Sequence, residues 1–238
     1  MIPPGFPKTR PPLPPEYAAI YASHYHLNRT GRTLATGLAQ RLEAWLHRQV
    51  AKDVVGSTRP TTTLELGAGT LNQLRYEPDR GSYDIVEPFR ELFEHSDRLS
   101  RVRTVFGDVR EIPPDRRYDR ITAVAVLEHL CDLPEVVVRV TELLAPGGTF
   151  RVAIANEGTI LWKLGWRLST GLEYRWRYGL DYGVLMRYEH VNTAREIESV
   201  LRYFFGEMEV RVFGISRALS LYHFFACRQP KQLASGSR

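Results

Sequence analysis

The ten residues from Thr61 to Thr70, TTTLELGAGT, constrain the fold of this chain more than any other stretch. Their threonines and leucines favour an extended strand. That strand ends on an acid, Glu65, and the chain turns at once through Gly67 and Gly69. Glycine belongs where backbone must come within contact distance of a ligand, because a Cβ would occupy the ligand's place. A second strand-like run, YDIVEP, ends on Glu87, 22 residues after Glu65. A carboxylate at that point can accept hydrogen bonds from two ribose hydroxyls, so strand, glycine turn and second acid together describe a nucleotide-type site.

Further along, VRTVFGDV places Asp108 at the end of a third strand, YDRITAVAVLEHL supplies a fourth, and LLAPGGTFRVAI gives a helix end, a Pro-Gly-Gly turn and a fifth. In this order of parts the chain resembles the class I S-adenosylmethionine-dependent methyltransferases, from about Thr61 to Cys227. The resemblance implies an α/β fold, a Rossmann-like seven-stranded sheet with helices on both faces, and S-adenosylmethionine as cofactor. It implies that Glu65, Gly67 and Gly69 contact the methionine part, Glu87 the ribose, and Asp108 with Val109 the adenine amino group. Val124 at the end of the fourth strand and Tyr25 in the N-terminal segment complete the expected cofactor contacts. Two positions depart from the family pattern: Leu71 stands where a third glycine is frequent, and Ala145 where a lysine often precedes the Pro-Gly-Gly turn. A nicotinamide-binding reading would need glycine at position 72, which is Asn72.

The chain has 238 residues, room for one α/β domain with elaborations but not for two of typical size. No apolar run is long enough to span a bilayer, and prolines interrupt the stretch a secretory signal would need, so residence in the cytoplasm is expected. Cys131 and Cys227 sit in no metal-binding spacing, which argues for a reducing compartment and against structural zinc. A net charge of +5 favours an acidic partner or substrate. Much of the excess lies in the first 57 residues, where seven Lys or Arg face three acids, a pattern that is more often a solvated surface than a binding patch.

Residues 1–16 are proline-rich and are expected to be extended or disordered. Residues 17–228 form the methyltransferase-like unit, opening with a lid and helix over 17–57. Leu34, Leu38, Leu42, Trp45 and Leu46 recur at helical spacing, which predicts an amphipathic helix covering the sheet. Tyr17, Tyr21 and Tyr25 precede it, on a segment that in the resembling family folds over the cofactor; aromatic residues at this spacing equally form core. Strands are predicted near 62–66, 83–87, 102–106, 119–125 and 149–154, alternating with helices. One helix starts at Asp132-Leu133-Pro134 and stops at Pro146-Gly147-Gly148; another is announced by a capping box at Thr193 and Glu196. EVRVF and LYHFFA supply a closing antiparallel pair, and residues 229–238 read as a polar tail.

Residues 156–191 form an insert longer than a plain connection needs. It interleaves Trp162, Trp166, Tyr174, Trp176, Tyr178, Tyr182 and Tyr188 with Lys163, Arg167, Arg175, Arg177 and Arg187. As a loop leaving the fifth strand at its carboxyl end it becomes the expected substrate cap. Three uses stay open for it: lining a pocket for an anionic small molecule, forming an interfacial surface on a membrane or in a homodimer, and contacting nucleic acid.

Methyl transfer needs a nucleophile held in line and, for a hydroxyl, a group to take its proton. His190 in RYEHVN is the leading candidate base, with neighbouring Glu189 able to orient it; a histidine before a helix also commonly bonds backbone. His129 in VLEHL is the second candidate, against a structural reading of the Glu128–His129 pair. No Asn-Pro-Pro-Tyr motif follows the fourth strand and Cys131 lacks the Pro-Cys context of cytosine C5 enzymes. The acids of a catechol-type metal site are absent in register, since Leu127 and Glu128 stand there, so no metal is expected. The acceptor expected is a hydroxyl, or else an amine, on a small molecule or saccharide, with RNA methylation and a non-catalytic cofactor-binding scaffold as rivals.

Overall fold

In the computed structural model, residues 5–21 and 36–232 are described. Seven strands make one sheet: β1 Thr62–Leu66, β2 Ser82–Val86, β3 Thr104–Phe106, β4 Tyr118–Val124, β5 Leu144–Ala155, β6 Phe205–Gly214 and β7 Ser220–Pro230. Their order is β3-β2-β1-β4-β5-β7-β6. The first five are parallel and β7 runs antiparallel to both neighbours. The order reverses between β1 and β4, which leaves a crevice beyond the carboxyl ends of the strands.

Strand alternation sorts the side chains onto two faces. Leu64 and Leu66 of β1, Ile121 and Ala123 of β4, and Val152 and Ile154 of β5 share a buried cluster with two helices, α3 (Leu133–Leu143) and α7 (Ala194–Phe204). On the other face α2 (Thr36–Ala51) lays Leu46 and Val50 against Ala153, Phe224 and Ala226. The side chains expected to form the rest of that helical face, Leu34, Leu38 and Leu42, lie outside the described residues.

The α2 face also buries charge that a strand pattern does not announce. Arg120 of β4 reaches Asp53 and Glu77, each at 2.9 Å, and Arg151 of β5 reaches Asp53 at 3.2 Å. Both guanidinium groups donate to the carbonyl of Val50, so they also satisfy orphan acceptors at the end of α2. Burial lowers the Arg151 pKa to about 10, although the Asp53 carboxylate opposes it.

Several expectations need adjustment. Strand, helix, strand alternation holds only around β4 and β5. The connections from β1 to β4 carry single 3-10 turns, Gln73–Arg75, Arg90–Leu92, Leu99–Arg101 and Val109–Glu111, because Pro78, Gly81, Pro88 and Pro113-Pro114 interrupt any longer run. The helix before β5 stops at Leu143, and the Pro-Gly-Gly turn falls inside β5, where the pairing with β4 shifts register. The insert at 156–191 is not a loop but three helices, α4 (Ile160–Leu168), α5 (Thr170–Tyr178) and α6 (Tyr182–Glu189). Residues 15–21 form a short helix, α1, and residues 5–14 have no regular structure but are not loose. Lys8 donates to the carbonyl of Val191 and pairs with Glu196 at 2.6 Å, and Arg10 donates to the carbonyls of His129, Tyr188 and Glu189. The expected polar tail contributes its first residues to β7, and residues 233–238 lie outside the described residues.

Candidate functional site

The chain after β1 turns through backbone that only glycine adopts easily. Gly67 has φ +61°, and a Cβ there would stand 2.5 Å from Cγ2 of Val126. Gly69, at φ +50°, donates its N–H to Glu87 at 2.8 Å, tying the glycine turn to the end of β2. Leu71 also takes a left-handed conformation, φ +61°, and is fully buried beside Leu74 and Phe93. The loop therefore keeps the path a third glycine would give it, and apolar burial offsets a backbone strain of about 1–2 kcal/mol.

Two cavities open beyond the strand ends, and they share walls at Gly67, Ala125, His129 and Glu189. The smaller, about 600 Å³, is lined by Glu87, Asp108, Val109, Phe89 and Arg10. Glu87 is buried and accepts from the backbone N–H groups of Gly69 and Phe89. Asp108 accepts from the N–H of Arg110 at 2.8 Å and pairs with its guanidinium at 3.1 Å. Each carboxylate oxygen can accept more than one bond, so both acids keep capacity toward the cavity.

The larger cavity, about 940 Å³, holds Glu65, Gly67, Gly69 and Val124 with Glu128, His129 and His190. Its roof comes from the insert, through Trp162, Trp166, Tyr182 and Met186, and one wall from His47 and Tyr76, whose rings stack. Glu65 is buried, accepts a hydrogen bond from the Tyr83 hydroxyl at 2.9 Å, and burial raises its pKa to about 8. Glu128 lies beneath the floor, its pKa raised by burial against the opposing charge of His190, and its Oε2 has no hydrogen-bond partner among the described residues. Tyr25 lies outside the described residues; of its companions, Tyr21 meets Tyr188 edge-on at 5.5 Å and lines the smaller cavity, while Tyr17 is buried in the insert's own cluster.

His190 and His129 meet at 4.8 Å between ring centroids, nearly perpendicular. His190 Nδ1 lies 2.8 Å from Glu157 Oε2, so Glu157 orients the ring, and the adjacent Glu189 acts on it through its charge. Burial by itself would lower the His190 pKa, but its hydrogen bond to Glu157 and the charges of Glu128, Glu157 and Glu189 raise it. Burial would likewise raise Glu157, yet His190 and the Trp162 indole N–H lower it. His129 Nδ1 lies 3.0 Å from the carbonyl of Glu189. His129, Glu189 and His190 bring one donor atom each within 4.8 Å of one another.

Asn192, fully buried, donates to the carbonyls of Leu127 and Leu130, while the N–H groups of Val191 and Asn192 donate to the carbonyl of Glu128. These bonds clip the His190 loop to the turn after β4. Glu157 and Asn192 are the site residues the sequence reading misses. Glu157 was signalled only by its place just past β5, at the carboxyl edge of the sheet.

The residues present fit a nucleoside carrying an amino-acid arm: acids line the smaller cavity, and the larger offers a glycine turn, the buried Glu65 and a buried Glu128 oxygen without a partner among the described residues. A family model described as a methyltransferase domain matches residues 34–202. No curated protein matches the chain in sequence. Among solved structures, the CurJ carbon methyltransferase is 23% identical with a TM-score of 0.56, the match covering 78% of this chain and 54% of CurJ. The chain thus spans about half the length of that relative. The plantazolicin methyltransferase BpumL, with S-adenosylhomocysteine and a substrate analogue, is 13% identical with a TM-score of 0.61, covering 90% of this chain and 91% of BpumL. The N-methyltransferase NodS from Bradyrhizobium japonicum, with S-adenosylhomocysteine, is 15% identical with a TM-score of 0.53, covering 81% and 87%.

Proposed function

Since the chain belongs to the methyltransferase-domain family and is an S-adenosylmethionine-dependent enzyme of that class, we propose that it methylates a hydroxyl group of a small molecule or saccharide. The observation that carries the choice of oxygen is the His190–Glu157 pair on the wall of the larger cavity. A hydroxyl must lose a proton as it is methylated, and a histidine backed by a carboxylate is built to take one. Carbon and nitrogen acceptors occur among the fold relatives, CurJ and NodS by their names, and a free amine would make little use of this pair.

The bound cofactor supplies a methyl group activated on a sulfonium. Glu65, Gly67, Gly69 and Val124 would hold its methionine end, Glu87 its ribose, and Asp108 with Val109 its adenine. His190 takes the acceptor proton at Nε2 while Glu157, bonded to Nδ1, stabilises the imidazolium. His129, on the wall common to both cavities, packs against His190 and keeps that ring from rotating away. Trp162, Trp166 and Tyr182 offer aromatic faces to a sugar or phenolic ring.

No metal enters this scheme, because it uses the His190 Nε2 lone pair as the base, and one lone pair cannot both take a proton and bind a metal. Incubation with radiolabelled S-adenosylmethionine and a panel of phenolic and saccharide hydroxyl compounds alongside their amine counterparts tests the reading. Label is expected on oxygen, at a rate unchanged by EDTA. Label found only on amines, or activity abolished by EDTA and restored by a divalent cation, would overturn it.

A further inference from the structure

The insert has a second face, and nothing in the methyl-transfer site uses it. On α4 and α5 the rings that turn inward are Trp162, which meets Tyr222, Trp166, which meets Tyr182, and Tyr174, which is buried against Tyr182. Outward lie Ile160 (79% exposed), Leu164 (48%), Leu168 (69%), Leu172 (58%) and Trp176 (86%), spaced four residues apart. Leu161 is also exposed, and beside α4, in the β6–β7 turn, so are Ile215 and Leu219. Among the described residues these are eight of the eleven large apolar side chains that are exposed, so they form a patch rather than the usual scatter.

Charge distinguishes the possible occupants. Over 160–178 the exposed cations are Lys163, Arg167, Arg175 and Arg177, and the only acid is Glu173. A second copy meeting this face through a two-fold axis would press four cations against four. Nucleic acid would meet leucine and isoleucine where it needs donors, with Trp176 the sole exposed ring of the patch to stack on. An anionic lipid surface suits both halves: apolar side chains enter the acyl boundary while lysine and arginine lie along it with their charges at the headgroups. We propose that the outer face of α4 and α5 docks this protein on an anionic membrane surface. No helix among the described residues is long and apolar enough to cross a membrane, so the attachment is peripheral.

The same helices roof the larger cavity through Trp162, Trp166 and Thr170. Docking therefore presents that cavity to the interface, and the acceptor is an amphipathic or lipid-linked hydroxyl compound, a consequence that rests on the function proposed above.

Sedimentation with vesicles tests the docking without any turnover. The full chain is expected to co-sediment with vesicles containing phosphatidylglycerol and to stay in solution with phosphatidylcholine alone. Lys163→Glu with Arg167→Glu, and separately Leu164→Ser with Leu168→Ser, should each lower that binding by about tenfold or more, with S-adenosylhomocysteine affinity retained as the measure of an intact fold. Tryptophan fluorescence of the parent should be quenched by bromolipid, and Trp176→Phe should remove most of the quenching. Equal sedimentation with both vesicle types, no sedimentation with either, or a parent dimer that the leucine variants dissociate would each overturn the proposal. If docking holds but only soluble hydroxyl compounds are methylated, the surface stands and the acceptor class does not.

Discussion

His190 and Glu157 carry the chemistry at the scale of single residues, and their coupling has a sign that can be measured. A base must be neutral to accept a proton, and Glu157 holds His190 protonated to higher pH than an ordinary imidazole, with Glu128 and Glu189 acting the same way through their charges. kcat/KM should therefore rise with pH along a limb lying above a free histidine's pKa of about 6.5. Glu157→Gln keeps an oxygen near Nδ1 but removes the charge, so the limb should move to lower pH and the plateau fall by about 10-fold to 100-fold. A limb that does not move in Glu157→Gln would mean that another group titrates. His190 was legible as a candidate because it sits between an aromatic insert and a capping box. Its partner was not, because the two are 33 residues apart and meet only when β5 delivers Glu157 to the crevice edge. Similar reasons hide Arg120 and Arg151, buried cations whose carboxylate partners, Asp53 and Glu77, come from just past α2 and from the loop after β1.

Among elements, local signals were read well where they are chemically specific. The capping box at Thr193 and Glu196 is formed in full, with the Thr193 side chain on the Glu196 N–H and the Glu196 carboxylate on the Thr193 N–H. Thr193→Ala should cost about 1 kcal/mol, a Tm lower by about 2–4 °C in a thermal melt. An unchanged Tm would mean that packing of Ile197, Val200, Leu201 and Phe204 alone sets the helix. β1, β2 and β4 were found within about one residue, because β-branched runs bounded by Gly, Pro and Asp leave little choice, whereas β5 begins five residues before its expected start and takes in the Pro-Gly-Gly turn. The insert was harder. Its aromatic content drew attention away from Thr159 and Asp181, whose side chains cap α4 and α6. The N-terminal prolines suggested a loose segment because no sequence pattern reveals that Lys8 and Arg10 satisfy carbonyls around His129 and His190.

For the whole molecule, the strand order explains why residues far apart in sequence face one space. Glu65, Glu87, Asp108, Val124 and Glu157 each stand at or just past the carboxyl end of a different parallel strand, and the order β3-β2-β1-β4-β5 sets those ends side by side. The resemblance named the cofactor from this pattern; it left the acceptor open, since the roof of the larger cavity is the insert. Every role assigned at the strand ends requires cofactor in the joined cavities, and isothermal titration with S-adenosylhomocysteine tests that most directly. The parent should bind with micromolar affinity, and Gly69→Trp, which places an indole at the glycine turn, should bind at least about 100-fold more weakly. A parent that fails to bind at millimolar concentration, or a Gly69→Trp variant that binds as well as the parent, would contradict the site described above.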